Sequence, residues 1–195
     1  CDELGMVVWA EIPFISRFIN TKEAKEDTVR QMRELIMQNY NHPSICFWGI
    51  SNEITMGGES DELVENQRIL QKLCHKLDPS RKTVLANLTT VESQSEQNKI
   101  TDLSAYNVYM GWYAGKVEDC GAWMDSLHKE NSDMCMGISE YGADTNVQYH
   151  SDAPKRQDYT EEYQSYYHEK MLQAIQERPY LWCSFVWNMF DFAAD

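Results

Sequence analysis

Six short apolar runs alternate along the chain with stretches of helical periodicity, and this alternation restricts the fold more than any other feature. The runs are Met6 to Ala10, Ile45 to Ile50, Thr83 to Ala86, Leu103 to Val108, Met134 to Ile138 and Leu181 to Trp187. Short runs of this kind read as strands covered on both faces. Between them, Lys22 to Tyr40 places Val29, Met32, Leu35 and Ile36 on one helical face, with Thr21 as its N-cap. Asp61 to Leu77 does the same with Leu63, Leu70, Leu73 and Leu77, and Val117 to Lys129 and Tyr159 to Gln176 read as two more helices. The polar stretch Asn87 to Lys99 carries no periodic signal. Strands alternating with helices predict a parallel sheet with crossover helices.

Unit length narrows the class. A full (β/α)8 barrel runs to about 250 residues, roughly 31 per unit, so six units need about 190. The chain has 195 residues. The expected fold is therefore α/β: a (β/α)8 TIM barrel, present as a fragment covering about strands 3 to 8. An open arc of six strands would expose two apolar edges, which proteins avoid. A partial barrel domain, with two further units elsewhere in a longer protein, is the expectation.

Barrels of this kind do their chemistry at the C-terminal ends of the strands. Two glutamates stand there. Glu53 closes NHPSICFWGISNE (Asn41 to Glu53), in which Pro43 marks where the strand begins. Glu140 closes the run inside MCMGISEYGAD (Met134 to Asp144), and Gly142 behind it lets the backbone turn. Two carboxylates facing one cavity are what cleavage of a sugar–oxygen bond requires. Asn52, beside Glu53, supplies an amide that can hold a sugar hydroxyl, and Tyr141 is either a donor to Glu140 or a packing residue. The plainer readings are a solvated loop carboxylate or helix cap at Glu53, and a loop carboxylate paired with an arginine at Glu140. Position alone leaves both open.

A formal net charge of −14 argues against nucleic acid or an anionic membrane as partner, since both need clusters of Lys and Arg. A neutral polyhydroxylated ligand fits. The six cysteines show no metal-type spacing and read as reduced structural thiols, with Cys46, Cys135 and Cys183 inside apolar runs. His75, His128, His150 and His168 lack ligand spacing and read as surface residues. Trp9, Trp48, Trp123 and Trp182 read as packing residues.

Four motifs in order, NHPSICFWGISNE, AYNVYMGWY (Ala105 to Tyr113), GISEYGAD (Gly137 to Asp144) and FVWNMFDFAAD (Phe185 to Asp195), resemble the catalytic barrel of glycoside hydrolase family 2 over nearly the whole chain. That family contains β-galactosidases, β-glucuronidases and β-mannosidases. The resemblance implies a β-sandwich set upstream of Cys1. It makes Glu53 the acid/base and Glu140 the nucleophile of a retaining exo-β-glycosidase that works through a covalent glycosyl-enzyme. Retention implies carboxyl groups about 5–5.5 Å apart. It further implies that Asn52 binds the sugar's 2-hydroxyl, Tyr109 contacts the nucleophile and Trp187 forms a platform under the ring. Trp112 and Tyr113 of the GWY would line the site, and Asp144 joins the substrate-binding set. Glu11, closing MVVWAE, matches an acidic strand-three position, and His42 of the family's HP dipeptide is a structural residue supporting the strand entry.

Departures from the family's pattern bear on the sugar and the metal. β-Galactosidases of the best-known type carry Glu-x-His as Mg²⁺ ligands, whereas Glu11 is followed by Ile12, Pro13 and Phe14. No metal and no cofactor are therefore expected. A sugar-contacting histidine three residues after the nucleophile is replaced by Ala143. SEYGAD and TEEYQ (Thr160 to Gln164) resemble β-glucuronidases, and WNMFDFAAD resembles gut-bacterial β-galactosidases. A β-galactosidase is the first expectation and a β-glucuronidase the second, with a non-catalytic carbohydrate-binding barrel as the rival from another class. The partner is a carbohydrate substrate. A homo-oligomeric full-length protein in a bacterial periplasm or cytoplasm completes the expectation.

Overall fold

The computed structural model describes residues 1–190 and 192, so the end of the FVWNMFDFAAD motif lies outside the described residues. The chain divides into two compact units, Cys1–Ala105 and Tyr106–Asp195.

In the first unit β1 (Val8–Glu11), β2 (Ile45–Asn52) and β3 (Lys82–Leu88) run parallel, with β2 paired to both neighbours. Helix α1 (Lys22–Asn39) begins where the Thr21 side chain accepts from the Ala24 N–H at 3.2 Å. Helix α2 (Asp61–Leu77) begins where Ser60 accepts from Leu63 at 3.2 Å. Each cap satisfies one of the helix's orphan donors. Met32 and Ile36 of α1 and Leu63 and Leu70 of α2 are buried with Trp48, Ile50 and Leu85 of the strands in one core. Apolar burial of that kind supplies most of the helices' stability.

One polar cluster is sealed into this unit. Asp78 is fully buried and receives the Trp48 Nε1–H at 3.0 Å and the Arg81 guanidinium at 2.7 Å. Arg81 also donates to the carbonyls of Ile45, Tyr40 and His42, tying the start of β2 to α2's end. Burial opposes the charged Asp78 carboxylate, but hydrogen bonds from Ser80, Arg81 and Trp48 outweigh it and hold the carboxyl down to about 2. Because the folded value lies below the unfolded one, this stabilisation is complete above about pH 4 and is lost as pH falls toward 2. Removing one partner of a buried pair strands the other charge. Arg81→Ala should cost on the order of 3 kcal/mol, read as a lower denaturation midpoint of the full-length protein; an unchanged midpoint would contradict this account.

In the second unit the strands are β5 (Met136–Tyr141) and β6 (Ser184–Val186), again parallel; β4 (Leu103–Asn107) contains the boundary between units. Helix α3 (Cys120–Glu130) follows a short 3-10 turn at Val117–Asp119. Helix α4 (Glu161–Gln176) is capped by Thr160, whose side chain accepts from Tyr163 at 3.1 Å. Tyr106, Met124, Met136, Ile138, Tyr167 and Met171 are buried here.

Several expectations change. Cys135 is exposed just ahead of β5, outside the strand, while Cys74 and Cys120 are the buried helical thiols. Burial pushes both of these thiols, and Cys183, up to about 12. All six cysteines are free. His168 is half-buried between Tyr141 and Tyr167, and burial pushes its pKa down. His75 is also partly covered, 3.0 Å from Asp102. His128 stacks on Tyr180, and exposed His150 pairs with Glu162. The packing tryptophans behave as expected: Trp48 is buried, Trp123 meets Tyr106 edge-on and Trp182 lies over Gly137. No helix among the described residues is long and apolar enough to cross a membrane.

Candidate active site

In the first unit, parallel strands bring Glu11, Asn52 and the residues after β3 to one edge. Asn52 is the last residue of β2, and the loop after β1 pairs with it: its N–H donates to the Phe14 carbonyl at 3.0 Å and its carbonyl accepts from Ser16 at 3.1 Å. The strand is therefore longer than Ile45 to Ile50. Glu53 follows in the left-handed region, φ 48° and ψ 27°, where a residue with a Cβ is rare. Its N–H donates to the Ala86 carbonyl of β3 at 2.9 Å, which holds the backbone in that conformation. Glu53 and Asn52 are both partly buried.

Glu11 closes β1 and lies across Gly49 of β2. A Cβ on Gly49 would meet the Trp9 Nε1 at 2.2 Å and Glu11 side-chain carbons at 2.8 Å. Only glycine admits both side chains. At the far end of β2, His42 is exposed and pairs with Asp2 at 2.6 Å, while Ser44 N–H donates to the same carboxylate at 3.0 Å. His42 thus braces the start of the strand. Near the end of β3, buried Asn87 donates to Asn98 at 2.9 Å, and Asn98 donates to the Glu92 carbonyl at 3.0 Å. These amides lie in the polar stretch that shows no periodicity, so sequence pattern does not reveal them.

In the second unit, Glu140 lies within β5, not beyond it. The Tyr109 hydroxyl donates to Glu140 Oε2 at 2.7 Å, and Val108 N–H donates to the Glu140 carbonyl at 2.7 Å. Tyr141, the adjacent candidate donor, is buried and packs against His168 instead. Trp187 follows β6 with its N–H on the Tyr141 carbonyl at 2.9 Å, and the residue is 51% exposed. A Cβ on Gly142 would sit 2.3 Å from the Trp187 carbonyl oxygen, so this glycine permits the two strand ends to close up.

The GWY pair splits. Trp112 is 1% exposed and packs against Tyr159 and Tyr163, so it supports the loop from beneath. Tyr113 is 63% exposed and meets the Tyr109 ring edge-on at 5.3 Å. Asp144 is exposed. Ala143 is buried, and its carbonyl accepts from Gln164 of α4 at 2.8 Å. That bond gives the TEEYQ segment a place beside the glutamate's loop. Among the described residues no group of three or more His, Cys, Asp and Glu is arranged to hold a metal ion.

Comparison with known proteins agrees with this arrangement of elements. The sequence matches the TIM barrel domain of the glycosyl hydrolases family 2 over residues 1–195. A β-glucuronidase from Bacteroides fragilis is 38% identical over 205 residues, covering 99% of this chain and 29% of that protein. A β-galactosidase from Thermoanaerobacterium thermosulfurigenes is 37% identical over 83 residues, covering 43% of this chain and 11% of that protein. Among solved structures, an FMN-binding β-glucuronidase from Facaelibacterium prausnitzii L2-6 superposes with a TM-score of 0.97 at 55% identity, covering 98% of this chain and 30% of that one. A Bacteroides uniformis β-glucuronidase gives 0.93 at 32% identity, covering 99% and 25%. The chain thus spans less than a third of these relatives' length. With its parallel strands, crossover helices and a family match running from its first residue to its last, the chain belongs to glycosyl hydrolase family 2, as the TIM barrel domain of that family.

Proposed function

We propose that the protein containing this domain is a retaining exo-β-glucuronidase. The hydrogen bond from Tyr109 to Glu140 carries the chemical part of that reading. A donor on a carboxylate favours its ionised form, and an ionised carboxylate is what a nucleophile must be. Glu140 attacks the anomeric carbon as the bond to the leaving oxygen breaks, and Glu53 gives that oxygen its proton. Water then attacks the same carbon, Glu53 takes the water's proton, and Glu140 departs. Asn52 binds the 2-hydroxyl, Trp187 and Tyr113 offer exposed rings to the sugar, and exposed Asp144 joins the substrate-binding set.

The choice of sugar reverses the order expected from motifs alone, which put β-galactosidase first. Most relatives that cover nearly the whole chain carry the name β-glucuronidase; a Bacteroides fragilis structure named as a β-galactosidase also covers 99% of it, and the Thermoanaerobacterium β-galactosidase covers 43%. Ala143 in place of a sugar-contacting histidine supports the same choice. Assaying the full-length protein on p-nitrophenyl β-glucuronide and β-galactoside tests it. A site that pairs a charged substrate group discriminates strongly against the analogue lacking it. We expect kcat/KM at least about 100-fold higher on the glucuronide, and higher turnover of the galactoside would overturn the assignment.

A further inference from the structure

The same local irregularity surrounds Glu140 and precedes Glu53. Along β5 the step from Ile138 to Tyr141 pairs with the shorter step from Ser184 to Val186 on β6, so β5 holds one extra residue around Ser139 and Glu140. Along β2 the step from Gly49 to Asn52 pairs with that from Val84 to Ala86 on β3, so an extra residue precedes Glu53 as well. A β-bulge bends its strand and re-aims the side chains beside it.

Each bulge contains a serine engaged by an amide side chain. Ser139 Oγ donates to Asn107 Oδ1 at 2.6 Å. Ser51 Oγ accepts from Gln67 Nε2 at 3.0 Å. Ser51, Gln67 and Asn107 are buried and Ser139 is partly buried, so the protein supplies most of the surroundings of these bonds. Beside Glu140 the bonds form a ladder. Asn107 holds Ser139, Val108 N–H holds the Glu140 carbonyl, and Tyr109 holds the Glu140 carboxylate. Three consecutive residues on one segment thereby grip two consecutive residues on the other.

We propose that Ser139 is a positioning residue: its bond to Asn107 sets the bulge that delivers the Glu140 carboxylate to the Tyr109 hydroxyl. Ser51, held by Gln67, sets the bulge ahead of Glu53 in the same way. The kinetic part of this inference rests on the reading of Glu140 as nucleophile.

The test uses the full-length protein carrying Ser139→Ala or Ser139→Thr. Small displacements of a reacting group cost rate out of proportion to their size. Ser139→Ala should lower kcat on p-nitrophenyl β-glucuronide about tenfold or more, with KM within about threefold, because the sugar contacts remain. Ser139→Thr keeps the hydroxyl and should restore most of the rate. A crystal structure of Ser139→Ala should show Tyr109 Oη and Glu140 Oε2 beyond hydrogen-bond reach. A separation still near 2.7 Å, or a kcat within about twofold of the unsubstituted enzyme, overturns the proposal. Should the unsubstituted protein hydrolyse neither glycoside, the glycosidase reading fails, and the crystallographic separation still decides the positioning role.

Discussion

Replacing Glu140 with glutamine in the full-length protein is expected to lower kcat on an aryl β-glucuronide by on the order of 10⁴-fold or more. The amide is nearly the same size as the carboxylate, and its oxygen can still accept from Tyr109. Fold and substrate binding should therefore survive, leaving KM little changed. What disappears is the negative charge that makes the carboxylate oxygen nucleophilic toward the anomeric carbon. An activated 2-fluoroglucuronide provides the direct measurement: mass spectrometry should find one covalent sugar on the unsubstituted protein and none on the variant. Unchanged hydrolysis would remove Glu140 from the mechanism, and the non-catalytic carbohydrate-binding barrel would then return as the better reading.

Glu53→Ala should produce a loss that depends on the leaving group. General-acid catalysis contributes roughly 10²–10⁴-fold. That contribution matters most for poor leaving oxygens, which need a proton to depart. Hydrolysis of an alkyl β-glucuronide should fall across that whole range, whereas formation of the glycosyl-enzyme from a dinitrophenyl β-glucuronide should hardly slow. Because Glu53 also activates the water of the second step, the glycosyl-enzyme should accumulate with the activated substrate. A uniform loss on both substrates would show that Glu53 does something other than protonate the leaving group. Its backbone predicts that substitution leaves the local fold intact, since the bond holding the left-handed turn comes from the main-chain N–H to Ala86.

Helices were more legible than strand ends. The bounds Asp61–Leu77 follow directly from the spacing of its leucines and from Ser60 ahead of it. The strands β2 and β5 run on past their last apolar residue, through Ser51 and Asn52 in one and Ser139 to Tyr141 in the other. An apolar run marks only the part of a strand covered by other apolar groups. Its polar continuation is stabilised by partners distant in sequence, such as Phe14, Asn107 and Gln67. The same limit applies to Asn87 to Lys99, where buried amides bond to one another and leave no period to read. Histidine burial was hidden too, because the Tyr141 ring that packs on His168 of α4 comes from β5.

The order of strands and helices, and a glutamate at the end of two strands, were legible from the residues alone. Hydrophobic period and helix caps are local properties, so they can be read without coordinates. The tertiary structure decided what holds each glutamate. Tyr141 is the neighbour of Glu140 in sequence, yet the donor is Tyr109, 31 residues earlier. Adjacency alone leaves Tyr141 open as donor or packing residue, and only the family resemblance points to Tyr109; the choice depends on how β5, with its extra residue, pairs with another strand. Burial separated Trp112 from Tyr113 in the same way, turning one into support and leaving the other ring open to solvent.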